Sequence, residues 1–415
     1  MFQLARQLEP PVLVSASTHL GVEQTSLADT HFTVDPLSQM VDLKSRLTDG
    51  VNLFTGPVGQ DNRTKGLAVN DLDELRRWAD ELACPLLVEA DGSRRLPLKA
   101  PSEHEPPIPA WVNTVAVLVG LSGLDKTLAA ETVHRPEIFA SLSGSDMGKP
   151  VTMPAVIRML LHPQGGLKNI PPGARKVVIF NQADTPSLQA KVASAAGDLW
   201  SSFDSVLIAS LGQGQGMVHA VCEPTAGIVL AGGSSERLGQ PKALLDWKGQ
   251  PFIRSIVKTA LAAGLSMITV VVGAVVEPIR AVLKDLPVTI VENTEWQTGQ
   301  SSSIRAGLET LPPQIGSAIF LLCDQPQIPG SLIQRLVEKH SQTLAPVIIP
   351  SVNGKRANPV SFDRDTFADL RLLQGDVGGR AIFSKYSPIW LPWDDISITL
   401  DVDTPEDYRR LLEIG

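Results

Sequence analysis

Cysteine is scarce in this sequence, and that scarcity argues against two kinds of stabilising chemistry. The 415 residues include three cysteines, Cys84, Cys222 and Cys323, which lie far apart and in no metal-binding spacing. An odd number of widely spaced cysteines argues against a disulfide framework and against a zinc site. We therefore expect a protein of the reducing cytoplasm.

Long hydrophobic runs and excess positive charge are also missing. No apolar run reaches the roughly 20 residues needed to cross a bilayer, and the N-terminus lacks the basic and apolar regions of a signal peptide. The net charge is −8, which argues against a general binder of nucleic acid or of anionic membranes. We expect neither partner, and we expect positive charge to be concentrated at local sites for small anions.

The sequence does contain a regular alternation of short apolar runs and amphipathic segments. The runs predict strands at 11–15, 51–55, 85–89, 114–119, 176–180 and 205–209, and then at 227–230, 267–272, 288–291, 318–322, 347–349 and 398–400. Helical patterns lie between many of them, for example at 71–82, 186–200, 251–263 and 331–340. Apolar strands alternating with amphipathic helices are typical of parallel sheets covered on both faces. The predicted fold class is α/β, with two three-layer α/β domains.

The length supports more than one domain, since about 150 residues per domain is typical. A glycine-rich polar stretch at 212–216, continuing to Pro224, is typical of a linker. We predict an N-terminal domain over residues 1–212, a linker over 213–225 and a C-terminal domain over 226–415.

A glycine-rich loop follows the strand at 227–230. It contains Leu230, Ala231, Gly232, Gly233, Ser235, Arg237 and Lys242. Glycines allow the backbone to approach phosphates closely, loop N–H groups bind anions, and arginine and lysine supply charge. The loop lacks the Walker pattern, in which Ser or Thr follows Gly-Lys. A plain strand-to-helix turn is the alternative, but the order of residues favours a nucleotide triphosphate.

Two aspartates are candidate metal ligands. Asp324 ends the buried run 318–322, and ligands of open α/β sheets bind at the carboxyl ends of strands. Mg²⁺ takes one or two carboxylates together with phosphates and waters. Asp403 follows the predicted strand 398–400 and is a weaker candidate, because Thr404 and Asp407 are typical of a helix N-cap and first turn. Asp324 itself has the alternative role of capping the next helix.

Three further loops carry candidate binding residues. Asn293 and Ser301 lie in a polar loop, where they either line a base or ribose pocket or, in the case of the serine, cap the next helix. Two other loops combine cations with glycine or other small residues and contain Arg356, Asn358, Asp376 and Arg380. Such loops suit an anionic second substrate, although a solvated turn is the default for any one of them.

Together these motifs resemble the molybdenum cofactor cytidylyltransferase family over 226–415. The resemblance is carried by 230–242, by Asn293, Trp296 and Gly299, by 324–326, by Arg356, Asn358 and Pro359, by Gly375, Asp376, Gly378 and Arg380, and by 401–407. Leu238 stands where the family has Met, and Ala357 where it has Gly. The resemblance implies a Rossmann-like nucleotidyltransferase fold and transfer of a nucleotidyl group from CTP to molybdopterin, with release of pyrophosphate.

The resemblance also implies roles for these residues. Arg237 and Lys242 would act on the triphosphate and the leaving group, Asp324 would hold Mg²⁺, and Asp403 would be a second metal ligand. The nucleotide would contact Leu230, Ala231, Gly232, Gly233, Ser235, Asn293 and Ser301. The pterin side would be formed by Arg356, Asn358, Asp376 and Arg380. Related guanylyltransferases share the first loop, and the two pterin-side loops favour cytidine.

The first half resembles the accessory protein family of selenium-dependent molybdenum hydroxylases over 10–212. The resemblance is carried by 88–93, 99–101, 105–106, 134–136 and 181–184. The family opens with a strand and a Gly-x-x-x-x-Gly-Lys-Ser/Thr loop, and this chain has neither. We therefore interpret this half as a degenerate P-loop-like domain that helps to receive or hand over the cofactor, with a molybdenum hydroxylase apo-enzyme as a partner.

Two other functions stay open from the sequence. The protein is either an enzyme or a cofactor carrier and insertion chaperone with little turnover. A nucleotidyltransferase that uses GTP or another NTP, or another phosphorylated small molecule, is the third possibility. The intact Lys242 and Asp324 favour the enzyme.

Overall fold

The computed structural model describes residues 1–34, 43–212, 216–233 and 238–414. The chain forms two compact units. One comprises Met1–Phe203 and Ile208–Val218, and the other comprises Asp204–Leu207 and His219–Gly415. Each is described by itself.

The first half of the chain contains six described helices and twelve described strands. The helices are α1 (Phe2–Ala5), α2 (Val22–Thr25), α3 (Val69–Leu82), α4 (Pro136–Ser143), α5 (Met153–Leu161) and α6 (Pro186–Ala195). The strands are β1 (Val12–Ala16), β2 (Leu20–Gly21), β3 (Thr30–Thr33), β4 (Val51–Thr55), β5 (Arg63–Thr64), β6 (Leu86–Glu89), β7 (Leu98–Lys99), β8 (Thr114–Gly120), β9 (Val133–His134), β10 (Arg175–Asn181), β11 (Ser205–Ser210) and β12 (Met217–Cys222).

Two four-stranded sheets organise this half. Their strand orders are β3-β4-β1-β6 and β12-β11-β10-β8. β1 runs parallel to β4 and β6, and β10 runs parallel to β8. The apolar face of α3 packs on the first sheet, where Trp78 meets Phe54 edge to face with ring centroids 6.1 Å apart. Burial of such large aromatic side chains is a main source of stability for the sheet.

The segment between the two halves is partly a strand. Residues 217–222, within the predicted linker, form β12 and pair with β11. The glycine-rich sequence before them led us to expect an open connection, but Met217–Cys222 is mainly apolar and extends an existing sheet. As a strand beside β11, the segment pairs backbone N–H and C=O groups that would otherwise need water as their partner.

The second half of the chain contains ten described strands and six described helices. The strands are β13 (Thr225–Ala231), β14 (Asp246–Trp247), β15 (Gln250–Pro251), β16 (Met267–Val272), β17 (Thr289–Glu292), β18 (Ser317–Leu322), β19 (Val347–Val352), β20 (Lys355–Arg356), β21 (Val360–Asp363) and β22 (Ile389–Pro392). The helices are α7 (Phe252–Ala262), α8 (Glu277–Leu283), α9 (Gln300–Glu309), α10 (Gly330–Thr343), α11 (Phe367–Arg371) and α12 (Pro405–Ile414).

One eight-stranded sheet forms the centre of the second half. Its order is β17-β16-β13-β18-β21-β19-β20, and β22 pairs with β19. The first four strands are parallel, while β21 runs antiparallel to both β18 and β19. Every residue of β13 is buried, as expected for a central strand covered on both faces.

Helices cover both faces of this sheet. The apolar stripes of α7, α8 and α10 pack on one face, and those of α9 and α11 pack on the other. In α7 the stripe consists of Phe252, Ile253, Ile256, Val257 and Ala260, at the spacing of a single helix face. The structure confirms the predicted α/β class, and the second half has three layers.

One predicted strand is wrong. Residues 396–399 form a turn of 3₁₀-helix instead of the strand predicted at 398–400. The last strand of the sheet is β22, which was not predicted because only three apolar residues lie between Pro388 and Pro392. The approach to Asp401 and Asp403 is therefore a helical turn, and the two aspartates are not placed by a continuing strand.

Candidate functional site

The carboxyl ends of two central parallel strands bring two of the predicted catalytic residues, Lys242 and Asp324, together. β13 and β18 are neighbours in register, with Leu230 opposite Leu322. The glycine-rich loop follows β13, and Asp324 follows β18. Because parallel strands end at the same edge of a sheet, the two motifs meet there.

Lys242 lies between two carboxylates at this edge. It begins a turn of 3₁₀-helix, Lys242–Leu244, and its Nζ lies 3.3 Å from Asp324 Oδ2 and in contact with Asp403 Oδ1. Burial lowers the pKa of Lys242, but the hydrogen bond to Asp403 and the charges of both aspartates outweigh it, so the pKa is raised. Lys242 therefore carries its charge at neutral pH.

The Asp324 carboxylate is only half satisfied. Its Oδ2 faces Lys242, whereas its Oδ1 is shielded from solvent and has no hydrogen-bond partner among the residues that the structure describes. Burial raises the pKa of Asp324, and the Lys242 ammonium opposes that rise. A buried carboxylate oxygen without a partner is costly and uncommon in proteins. It is the kind of atom that a bound cation would satisfy.

Two glutamine side chains fix the segment that carries Asp403. Gln325 Nε2 donates to Ile398 O at 3.3 Å and to Asp401 Oδ1 at 2.7 Å. Gln327 Nε2 donates to Ser397 O at 3.0 Å and to Leu400 O at 2.7 Å. These amides hold the 3₁₀ turn against the end of β18. The sequence analysis missed this role, and the two glutamines flanking Pro326 were its only sequence signal.

A backbone hydrogen bond also holds the segment between Asp401 and Asp403. The Val402 N–H donates to Asp324 O at 3.3 Å. Burial, followed by the charges of Asp324 and Asp403, raises the pKa of Asp401 to about 6. Lys242 thus contacts two carboxylates, and the charge of a third, that of Asp401, acts on the same corner.

The first turn of the last helix has the predicted cap. Thr404 Oγ1 accepts the Asp407 N–H at 3.2 Å, and Asp407 Oδ2 accepts the Thr404 N–H at 2.9 Å. These reciprocal bonds satisfy donors at the start of the helix. The cap and the contact of Asp403 with Lys242 coexist.

The glycine-rich loop is described in part. Leu230 and Ala231 are buried at the end of β13. Gly232 accepts a hydrogen bond from the Ala274 N–H at 3.2 Å, and a Cβ at Gly232 would lie 2.9 Å from Ser303 Oγ. Gly233 is also described, whereas Ser235 and Arg237 lie outside the described residues.

Asn293 and Ser301 are engaged in internal hydrogen bonds. Asn293 Nδ2 donates to Ser302 Oγ at 2.8 Å and to Ser303 Oγ at 3.0 Å. The Ser301 hydroxyl is buried and donates to Gly375 O at 2.7 Å. In this arrangement both side chains organise the start of α9 and the loop around it.

A pocket of about 170 Å³ lies beside the glycine-rich loop. Its apolar floor includes Leu230 and Leu322 together with Phe320, Phe362 and Phe383, and its polar lining consists of Gln300, Arg356, Asn358 and Arg380. The Arg356 guanidinium stacks 6.0 Å from the centroid of the Phe383 ring. A cavity with an apolar floor and a few converging polar groups is typical of a small-molecule site.

Three of the four residues predicted for the second substrate line this pocket, and Asp376 does not. Asp376 Oδ1 instead accepts the backbone N–H of Gln300 at 3.3 Å, at the start of α9. Gly299 has φ 115°, and a Cβ there would lie 2.4 Å from both Gly375 C and Asp376 N. Only glycine allows this close approach of the two loops.

The first half has its own charged cluster after β6. Lys99 contacts Asp91, donates to Gly92 O at 2.7 Å and lies 2.8 Å from Glu105 Oε2. Arg135 donates to both Glu105 oxygens, at 2.7 and 2.9 Å, and to Ala100 O at 3.0 Å. Burial raises the pKa of Glu105, but the hydrogen bonds from Arg135 and Lys99 outweigh it and lower the pKa to about 2.

The motif at 181–184 forms a fixed loop after β10. Asn181 Oδ1 accepts the Gln182 N–H at 2.8 Å and the Leu211 N–H at 2.6 Å. Gln182 Oε1 accepts the Ser122 hydroxyl at 2.7 Å. The asparagine thus ties the ends of β10 and β11 together.

No group of three or more His, Cys, Asp or Glu residues able to hold a metal occurs in the described residues. Among the helices of the described ranges, none has the length and apolarity to cross a bilayer. Asp324 and Asp403 form a pair of carboxylates and not such a group.

Comparison with known proteins separates the two halves of the chain. Residues 227–389 match the MobA-like NTP transferase domain family, and residues 1–137 match the YqeC protein family. The chain is 40% identical over 187 residues to the uncharacterized protein YqeC of Escherichia coli, covering 44% of this chain and 70% of that protein.

Two further relatives match at similar coverage of the chain. The nicotine blue oxidoreductase of Paenarthrobacter nicotinovorans is 32% identical over 202 residues, which are 45% of this chain and 95% of that protein. A Bacillus mycoides protein named "Probable molybdenum cofactor guanylyltransferase" is 31% identical over 192 residues, which are 44% of this chain and 93% of that protein.

These matches confirm both resemblances at the level of the family, each over its own half of the sequence. Together with the sheet and the site at the ends of its strands, they identify the second half as an enzyme domain. The chain therefore belongs to the MobA-like NTP transferase family, as a nucleotidyltransferase, through residues 227–389, and to the YqeC family through residues 1–137.

Proposed function

We propose that the protein transfers the cytidylyl group of CTP to the terminal phosphate of molybdopterin in a Mg²⁺-dependent reaction. The observation that carries this proposal is the position of two sites at one edge of the sheet. Lys242 with Asp324 and Asp403 forms one, and the pocket of Arg356 and Arg380 forms the other. Leu230 and Leu322 line the pocket and directly precede the loops of the first site.

Asp324 and Asp403 are the proposed metal ligands. The unpartnered Oδ1 of Asp324 is an oxygen suited to a hard divalent cation. Mg²⁺ is commonly held by one or two carboxylates with the rest of its shell from phosphates and waters. Two carboxylates without a third ligand match that demand. When bound, the ion would neutralise phosphate charge during transfer.

The glycine-rich loop is the proposed triphosphate site. Backbone N–H groups at Gly232 and Gly233 and the charge of Lys242 would bind phosphate oxygens, together with Arg237 and Ser235. Leu230 and Ala231 position the loop, and Asn293 and Ser301 support the nucleoside side through the start of α9. Positioning and charge neutralisation supply most of the catalysis in such transfers, so no protein nucleophile is required.

The pocket is the proposed acceptor site. Arg356 and Arg380 suit an anionic acceptor, since guanidinium groups form paired hydrogen bonds with phosphate. The aromatic floor suits a planar ring. The acceptor phosphate oxygen forms a bond to the α-phosphorus of CTP, the bond from that phosphorus to the β-phosphate oxygen breaks, and pyrophosphate leaves with the electron pair. Asp376 supports the pocket through α9.

Two features of the proposal depend on the sequence resemblance. The pterin-side loops favour cytidine, although the named relatives include guanylyltransferases. The first half is proposed to receive or hand over the cofactor in the cytoplasm, with a molybdenum hydroxylase apo-enzyme as the recipient.

The test is a pyrophosphate-release assay with purified protein, molybdopterin and Mg²⁺, run separately with each of the four NTPs. Release with CTP alone supports the proposal. Release with GTP alone keeps the nucleotidyl transfer and changes the base. Equal inactivity with all four NTPs, in protein that binds molybdopterin, contradicts the enzyme and favours a cofactor carrier.

A further inference from the structure

We propose that Lys242 occupies the cation position of the site in the nucleotide-free protein and exchanges with the divalent ion when the nucleotide binds. This inference rests on the proposed function, because it takes Asp324 and Asp403 as the metal ligands. It assigns Lys242 a second role in addition to its phosphate contact, namely control of when the metal binds.

The contacts define the competition. The Lys242 ammonium lies 3.3 Å from Asp324 Oδ2 and in contact with Asp403 Oδ1. A divalent ion held by the same two carboxylates would lie close to the ammonium, and two cations at such a separation repel each other. Repulsion therefore disfavours simultaneous occupancy of this corner by the ion and the ammonium.

The geometry also gives the ion a first contact. Asp324 Oδ1 is buried and has no hydrogen-bond donor in the described part of the chain. An ion held there would lie beside the ammonium, and repulsion between the two cations would favour movement of Lys242 away from both aspartates. Lysine is suited to such movement, because its charge sits on a flexible four-carbon stem with three rotatable donors.

The triphosphate supplies the alternative partner for the displaced ammonium. Lys242 ends the glycine-rich loop, so we expect phosphates bound by that loop to lie within reach of its ammonium. A bound triphosphate therefore draws the ammonium away from the carboxylates and frees them for the metal. Metal and nucleotide binding are then positively coupled, and the coupling is reciprocal.

A purely structural role for the ion pair predicts a different effect of Lys242 removal on metal affinity. If Lys242 only stabilises the carboxylates, its removal leaves the site less ordered and does not improve metal binding. If Lys242 competes with the ion, its removal tightens metal binding in the absence of nucleotide. The two roles therefore differ in the sign of one measurable change.

The experiment measures Mn²⁺ binding to the full chain by the electron paramagnetic resonance signal of the free ion, without nucleotide. Lys242→Met removes the charge and keeps much of the side-chain length, and we expect Mn²⁺ to bind about tenfold more tightly, within the usual range of such couplings. Lys242→Arg keeps a competing charge, so wild-type affinity is expected.

Lys248→Met is the matched control, because Lys248 is exposed and its ammonium lies 5.0 Å from the centroid of the Trp247 ring. It should leave Mn²⁺ affinity unchanged. In the Lys242→Met background, Asp324→Asn should abolish the gained binding. Addition of CTP with a methylene bridge between its α- and β-phosphorus atoms should tighten Mn²⁺ binding in the wild type and have a much smaller effect in Lys242→Met.

The outcomes separate this inference from the proposed function. Equal or weaker Mn²⁺ binding by a folded Lys242→Met protein overturns the exchange, even if the wild type releases pyrophosphate from CTP. Tighter binding that survives Asp324→Asn overturns it as well, because the metal then sits elsewhere. Failure of the proposed function would instead appear as absence of pyrophosphate release from the wild type.

Discussion

Each half of the chain places a cluster of opposite charges after a strand, and the two clusters are satisfied to different degrees. In the first half, Lys99 contacts both Asp91 and Glu105, and Arg135 binds Glu105. Each cation also donates a hydrogen bond to a backbone carbonyl. Two cations there meet two anions. An arginine that binds both oxygens of one carboxylate is among the stronger and better oriented ion pairs in proteins.

In the second half, one lysine contacts the carboxylates of Asp324 and Asp403, and Asp401 interacts with all three groups through its charge. The Asp324 Oδ1 lacks a partner in the described residues, and the pKa of Asp401 is raised to about 6 by burial and by its acidic neighbours. The first cluster pairs its charges, whereas the second leaves a carboxylate oxygen without a partner, as expected if it binds a cation under the proposed function. Three predictions test this contrast.

The largest expected effect comes from Asp324→Asn. If the carboxylate serves the metal, pyrophosphate release should fall by about 1000-fold, the range seen when one electrostatic contact to the reacting group is lost. The thermal midpoint should stay equal or rise, because the change removes a poorly satisfied buried charge.

Asp285→Asn is the control for that experiment. Asp285 forms a surface pair with Arg254, at 2.6 Å, and should affect turnover little. A folded Asp324→Asn protein that keeps wild-type turnover would place the metal elsewhere.

An intermediate effect is expected from Glu105→Gln, and it concerns stability. The pKa of Glu105 is lowered from 4.5 to about 2, so its stabilisation is present above pH 4.5 and is lost as the pH falls toward 2. With solvent screening included, we expect a loss of about 2 kcal/mol at pH 7. The loss should shrink as the pH falls from 4.5 toward 2, because the unfolded wild type takes up a proton in that range before the folded protein does.

Hydrogen exchange of peptides covering 98–106 measures this local stability. Asp80→Asn is the matched control, since Asp80 pairs with Arg76 on an exposed helix face, where such pairs contribute about 0.5 kcal/mol or less. A pH-independent loss in Glu105→Gln would contradict a charge-based role.

The smallest expected effect comes from Arg356→Ala. Loss of one guanidinium from the pocket should raise KM for the acceptor about tenfold and change kcat little, since Arg380 remains. Steady-state kinetics with varied molybdopterin measure both constants. Lys355→Ala, an exposed neighbour on β20, is the control, and an equal rise there would indicate a general effect of surface charge.

The sequence was sufficient for the repetitive part of the fold. Strands such as β13 and β18 are continuous apolar runs, and α7 has an unbroken apolar stripe. Their period and length decide the class, because they depend on neighbours close in the chain. The meeting of Lys242 with Asp324 follows from the rule that parallel strands end at one edge.

The remaining geometry depends on contacts between distant residues. Gln325 and Gln327 fix residues some 70 positions away, so no local pattern shows why the turn at 396–399 is helical. Asp376 matches a motif, yet its carboxylate is turned toward the start of α9. Sequence patterns identified which residues gather at this edge, while long-range hydrogen bonds decide the direction in which each side chain points.

The contact of Gly299 with the Gly375–Asp376 peptide has a practical consequence for protein engineering. A single methyl group at Gly299 would force the loop before α9 away from the loop that carries Arg380. The two loops are therefore packed against each other and hydrogen-bonded, even though about 75 residues separate them in the sequence. Redesign of the pocket for a different acceptor must then alter both segments together.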